Sequence, residues 1–226
     1  MEQELIYVVK EGDNVDQIAR TAGIPVEELI WANQLEAPYR LAVGQALFVG
    51  TQSSVQAGRP SLYTFGYVYP FIDRQILDET LPWLTDLYVF SYGFTAEGEL
   101  IPPQTEDGPV IEAARAAGVR PVMVLTPLGP DGRFNNHLVT ELFASERAVR
   151  RLIWRLGAMM TEKEYEGLDI DFEYVSAGDR RDFAEFIGLC ARTFNPFGLT
   201  VTAALAPKTS DDQPGLLYEG MDYKAI

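Results

Sequence analysis

Residues 165–175 read Tyr-Glu-Gly-Leu-Asp-Ile-Asp-Phe-Glu-Tyr-Val and carry carboxylates at Asp169, Asp171 and Glu173, every second position. Side chains of an extended strand alternate between faces. These acids therefore share one face with Gly167, while Leu168, Ile170 and Phe172 share the other. Like charges stacked on one face repel, a cost that a strand bears where the face lines a polar cavity or a site that uses it. Such a cluster separates the proton affinities of its members, so that one carboxyl stays protonated near neutrality as a general acid while a neighbour remains ionised. The competing reading is an acidic loop with accidental alternation. Apolar residues at every intervening position and Gly167 at the start of the run argue against it.

The elements that must hold this strand follow from the pattern around it. From residue 61 onward, apolar runs at strand spacing alternate with helical periodicity: strands over 62–69, 86–94, 120–126, 167–174 and 199–206, and helices over 73–81, 109–117, 145–161 and 179–194. A Gly/Pro/Asn-rich loop covers 127–137. This alternation predicts an α/β fold with a parallel sheet and crossover helices. Its βα steps fit a (β/α)₈ barrel with strands 1–5 present, whose functional groups gather where strands end at the carboxyl face. Glu173 lies at such an end, as do Tyr69, Phe71, Tyr92 and Phe94. Closing the barrel takes about three more βα units, on the order of 90 residues, so the sequence reads as C-terminally incomplete.

The run Gly-Leu-Asp-Ile-Asp-Phe-Glu at 167–173 resembles the strand-four signature of family 18 glycoside hydrolases, the chitinases and endo-N-acetylglucosaminidases, written Asp-Gly-x-Asp-x-Asp-x-Glu. Glu166 stands where that pattern commonly has Asp. The resemblance implies retaining hydrolysis of a β-1,4 bond beside N-acetylglucosamine, with the substrate's own acetamido oxygen as nucleophile. Glu173 would be the acid and base, Asp171 would orient the acetamido group, and Asp169 would hydrogen-bond Asp171 and share its proton. No metal or other cofactor is implied. Tyr69 and Tyr92 are expected to bind substrate by stacking on sugar rings, barrel-mouth packing being the alternative for each. The family's sixth strand carries Met-x-Tyr; Met221-Asp222-Tyr223 imitates it but lacks an apolar run and reads as a loop or helix entry.

Residues 1–50 form a separate pattern of strand, helix, helix, strand: 7–10, a Gly12-Asp13-Asn14 turn, Val15, Ile18 and Ala19 at helical spacing, Gly23 as a stop, a second helix after Pro25, and a closing strand over 44–49. This small α+β module resembles a LysM domain through Tyr7, Val9, Gly12-Asp13, Ile18-Ala19, Leu29, Ala32-Asn33, Leu41, Val43-Gly44-Gln45 and Leu47. Glycan contacts are then implied at Gly12, Asp13, Asn14 and Val15 and at Gln34 and Leu35, where capping and turn formation are the competing roles. Residues 51–60, polar and punctuated by Gly and Pro, read as a linker to the barrel of 61–226. LysM, linker and barrel together resemble the spore-cortex glycosidases of endospore-forming bacteria. The implied partner is a peptidoglycan or chitin-type glycan. The alternative is a non-catalytic wall-binding protein with a lectin-like barrel, which the presence of Glu173 disfavours.

Composition narrows the classes further. Thirty-three acids against 18 bases leave a net charge of −15, which disfavours nucleic acid and anionic membranes as partners. The N-terminus lacks a basic and apolar leader, and no apolar run has transmembrane length. The expectation is synthesis in the cytoplasm and association with the spore or cell wall. With one cysteine and one histidine, neither an intrachain disulfide nor a zinc site is expected. Cys190, in a helical apolar stripe with Phe183, Phe186 and Ile187, reads as core rather than nucleophile.

Overall fold

A computed structural model describes residues 6–50 and 62–226. The chain divides into two compact units, Met1–Leu62 and Tyr63–Ile226. The predicted linker at 51–60 lies outside the described residues.

In the smaller unit, β1 (Ile6–Val8) pairs antiparallel with β2 (Ala46–Phe48), Tyr7 opposite Leu47. Helix α1 (Val15–Ala22) begins where Asn14 Oδ1 accepts the Gln17 N–H at 3.0 Å and ends at Gly23, whose φ of 71° favours a residue without Cβ. Helix α2 (Val26–Ala32) follows Pro25. Val9, Val15, Ile18, Ala19, Ile24, Leu29, Leu47 and Val49 form a core of their own. Asn33 clasps α2 to β2: its Nδ2 donates to Leu29 O (2.9 Å) and Phe48 O (2.8 Å), and its Oδ1 accepts the Phe48 N–H (2.7 Å).

In the larger unit, β3 (Phe65–Val68), β4 (Asp86–Phe94), β6 (Arg120–Leu125), β7 (Gly167–Ile170) and β8 (Thr200–Ala203) pair in parallel in chain order, with β5 (Leu100–Ile101) antiparallel on β4. The connections carry α3 (Arg74–Thr80), α4 (Gly108–Ala116), α5 (His137–Phe143) with α6 (Glu146–Glu162), and α7 (Arg180–Phe194). Among the described residues the strand path is open, with β3 and β8 at its ends. The main core lies between strands and helices, built from outward residues such as Leu87, Met123, Leu168 and Ile170 and from helix faces such as Leu152, Leu156, Phe183 and Cys190. Tyr88, Val122 and Val124, with Phe90 against them, form a smaller cluster. Met221-Asp222-Tyr223 lies in a turn-rich segment rather than a strand, with Met221 buried.

Candidate active site

The acids enter on β7. Gly167 opens that strand where a Cβ would sit 2.8 Å from Thr200 O and 3.3 Å from a Val122 methyl, so a larger residue would push apart the strands on both sides. The alternate residues lock the orientation: Leu168 and Ile170 are buried in the helix-side core, and Phe172 stacks on Phe183 (centroids 5.8 Å) and Phe186 (5.7 Å). A one-residue slip would exchange these apolar groups for the carboxylates, so hydrophobic burial directs the acids to the opposite face. The ladder ends at Ile170. Asp171 N–H still donates to Leu125 O at 2.9 Å, and the chain turns at Tyr174 with φ 55°.

The three acids meet different surroundings. Asp169 is 1% exposed. It accepts Tyr67 OH on Oδ2 (2.8 Å) and Thr202 Oγ1–H on Oδ1 (2.7 Å). Burial raises its pKa while these two donors oppose the shift. Asp171 is half-buried and, among the described residues, has no side-chain hydrogen-bond partner; burial, then the charges of Asp169 and Glu173, push it up to about 6. The Asp169–Asp171 hydrogen bond implied by the family resemblance is not formed here, because both Asp169 oxygens face hydroxyls on other strands. Glu173 is exposed beyond the strand end.

Asp171 opens into a cavity of about 210 Å³ with Tyr67, Val68, Tyr69 and Phe90. Tyr69 and Phe90 also border a second cavity of about 230 Å³ that reaches Phe71, Gln104 and Phe134. Tyr69 is 53% exposed, stacked on Phe71 (5.0 Å, 17°) and edge-on to Phe90 (5.3 Å, 76°). Asp171 thus lies at one end of an aromatic cleft.

Tyr92 is a correction. Strict alternation along 86–94 places it on the cleft face, but β4 takes three steps from Val89 to Tyr92 while β6 takes two from Met123 to Leu125. The extra residue inverts the alternation. Tyr92 is 0% exposed, and its hydroxyl donates to Asp107 Oδ2 at 2.6 Å in the helix-side layer, so it is not available to a ligand. Phe90 takes the cleft position. Gly93 is the one local sign of this: a Cβ there would lie 2.1 Å from Leu128 O, and glycine within a strand marks bulges and close approaches. Tyr67, Tyr88 and Thr202 are further site residues that sequence reasoning missed.

In the smaller unit, Gly12 is exposed with φ 86°. Asp13 accepts Lys10 N–H (2.7 Å) and Tyr7 OH (2.8 Å), which hold its carboxyl below the ordinary range. Asn14 is occupied as the α1 cap, Val15 is buried in the core, Gln34 is exposed with φ 51°, and Leu35 packs against the core. Asp13, Asn14 and Val15 therefore have structural partners, whereas Gly12 and Gln34 present exposed surface. Among the described residues no group of three His, Cys, Asp or Glu side chains is arranged to hold a metal.

Residues 7–50 match the family model of the LysM domain. They are a LysM domain. Across both units the chain is 30% identical to YdhD of Bacillus subtilis, named as a sporulation-specific glycosylase, over 98% of this chain and 51% of that protein. It is 29% identical to the cortical fragment-lytic enzyme of B. subtilis, over 97% of this chain and 62% of that one. The structure of the spore cortex-lytic enzyme SleL of Bacillus cereus matches with a TM-score of 0.71 at 26% identity, covering 98% of this chain and 51% of that chain. A chitinase of Chromobacterium violaceum, 18% identical, shares the fold with a TM-score of 0.64 over 73% of this chain and 52% of its own. The chain is thus a LysM domain joined to a chitinase-like α/β fold, and it spans between about half and two thirds of the length of these curated relatives. The LysM match takes in the Tyr7–Asp13 bond and the Asn33 clasp, while the acids of β7 belong to the chitinase-like unit.

Proposed function

We propose that this chain belongs to a family 18 glycosidase that hydrolyses β-1,4 bonds next to N-acetylglucosamine in spore-cortex peptidoglycan, with the LysM domain holding the glycan. The supporting observation is a half-buried carboxyl with raised proton affinity and no hydrogen-bond partner among the described residues, Asp171, which opens into an aromatic cleft and lies in sequence between a buried acid and an exposed one. Aromatic faces suit the apolar faces of sugar rings, and a carboxyl to which the described residues offer no donor is available to a substrate amide. Asp171 orients the acetamido group so that its oxygen attacks the anomeric carbon as the glycosidic bond breaks. Glu173 gives its proton to the leaving oxygen. The positive charge of the resulting oxazolinium ring is stabilised by Asp171 together with Asp169 behind it, a pair that shares one proton and carries one negative charge, and Glu173 then takes a proton from the water that opens the ring, which returns the original anomeric configuration. Association with the spore or wall follows from the same reading.

The test is Glu173→Gln in the full-length protein. Turnover of cortex fragments or chitin oligomers is expected to fall at least roughly 10²-fold, with unchanged circular dichroism. Wild-type rates in that variant would remove Glu173 from the mechanism. No turnover by the wild-type protein, with glycan binding retained, would favour a wall-binding role.

A further inference from the structure

Behind the acid cluster lies a chain of hydroxyls contributed by strands far apart in sequence. Thr202 on β8 is the register partner of Asp169 on β7. Its Oγ1 donates to Asp169 Oδ1 at 2.7 Å, and Tyr88 OH on β4 lies 3.3 Å from the same Oγ1. A hydroxyl has one proton, so a Thr202 that donates to Asp169 accepts from Tyr88. The direction is therefore Tyr88 to Thr202 to Asp169, with Tyr67 on β3 donating to the other carboxylate oxygen at 2.8 Å. Among the described residues the titratable groups around Asp169 are Tyr67, which donates to it, Asp171, which feels its charge and that of Glu173, and Tyr88, which reaches it through Thr202; β6 adds apolar Val122 and Val124. Among the described residues no ion pair reaches Asp169, so hydroxyl donors are what stabilise its charge.

We propose that Thr202, supported by Tyr88, is a positioning residue that holds Asp169 as the ionised member of the acid cluster and leaves the proton to Asp171 at the cavity. A proton on Asp169 Oδ1 directed at Thr202 would displace the Thr202 hydroxyl proton, which would then need another acceptor. An ionised Asp169 in turn repels a second charge on Asp171, which keeps that carboxyl protonated further toward neutrality. The proposal rests on the glycosidase reading only for its consequence in catalysis; the assignment of the proton does not depend on it.

The experiment is a carboxyl-carbon NMR titration of the 226-residue chain with ¹³C-labelled aspartate, comparing wild type with Thr202→Val, Thr202→Ser and Tyr88→Phe. Thr202→Val is expected to raise the Asp169 titration by about one pH unit and to lower that of Asp171, Thr202→Ser to stay near wild type, and Tyr88→Phe to move both in the Thr202→Val direction by less. Asp169 and Asp171 titrations that coincide in all the variants overturn the proposal. If Thr202→Val does not fold, Tyr88→Phe decides: it retains the ring, and an unchanged Asp169 titration there overturns the hydroxyl chain equally. In the full-length enzyme the acid limb of kcat/KM should shift in Thr202→Val and return in Thr202→Ser. A wild-type protein without turnover would remove the glycosidase reading while the titrations still judge the proton assignment.

Discussion

At Asp171, burial and the carboxyls of Asp169 and Glu173 act in one direction, against ionisation. Its pKa in the folded protein is about 6, against 3.8 for the ordinary group. In the interval between these values the native state holds a proton that the unfolded chain has lost. The site therefore costs no stability below the lower value and a growing amount as pH rises to the upper one. Asp171→Asn removes that cost while abolishing the orienting carboxylate. It is expected to stabilise the fold by about 1–2 kcal/mol at pH 7.5, after allowance for the partial exposure of the group, and by much less near pH 4. Urea midpoints at the two pH values check this, and an equal gain at both would mean that the strain is not electrostatic. Loss of turnover accompanied by a gain in stability is the pattern expected of a residue held in place for chemistry.

At the scale of elements, a buried ionic cluster anchors the layer behind the site. Asp107, just before α4, accepts hydrogen bonds from Tyr92 on β4 (2.6 Å), from Tyr165 two residues before β7 (2.7 Å) and from Lys163 at the end of α6. Burial opposes ionisation of Asp107, but Lys163 and the two tyrosines outweigh it, so its pKa lies below the ordinary carboxyl range. The same cluster holds Tyr92 on the helix side of the irregular strand, the placement that leaves Phe90 to the cleft. Asp107→Ala strips all three donors of their shared acceptor and is expected to destabilise the larger unit by roughly 3–5 kcal/mol at neutral pH. Tyr92→Phe, which removes one bond and keeps the ring, should cost only about 1 kcal/mol. The sign with pH follows from the depressed pKa: the contribution of Asp107 is present above the unfolded value and lost as pH falls through the folded one. Chemical denaturation of both variants measures the difference; equal costs would mean that the carboxylate is not the organising group.

For the whole molecule, the LysM domain has a core of its own and its own capping and clasp bonds. Residues 1–50 are therefore expected to fold alone and to be retained on insoluble peptidoglycan or chitin, weakly per module and more strongly when two copies are linked. A pull-down with no retention above a control protein of similar charge would overturn this division of labour. Asn33→Ala in the same fragment removes the two hydrogen bonds that tie the end of α2 to Phe48 on β2, and one back to Leu29, and should lower its melting temperature, an independent check that the module's fold is self-sustained.

Much of this was legible in local sequence because it depends on period and on turn chemistry. The alternation of Asp169, Asp171 and Glu173 with Leu168, Ile170 and Phe172 determined which groups share a face, since a strand cannot bury one set without exposing the other. The Asn14 cap, the Gly23 stop and the apolar spacing of α1 and α2 likewise determined the LysM domain before any long-range contact. What the tertiary structure decided are the partners that strand pairing brings from a distance. Tyr67 reaches Asp169 across 102 residues of chain and Thr202 across 33, and no local pattern encodes which hydroxyl will face which carboxylate. Tyr92 shows the same limit within one strand. A single extra residue between Val89 and Tyr92 reverses the faces beyond it, because alternation is relative to the ladder, and the ladder is set by the neighbouring strand and by the buried Asp107 that receives the Tyr92 hydroxyl.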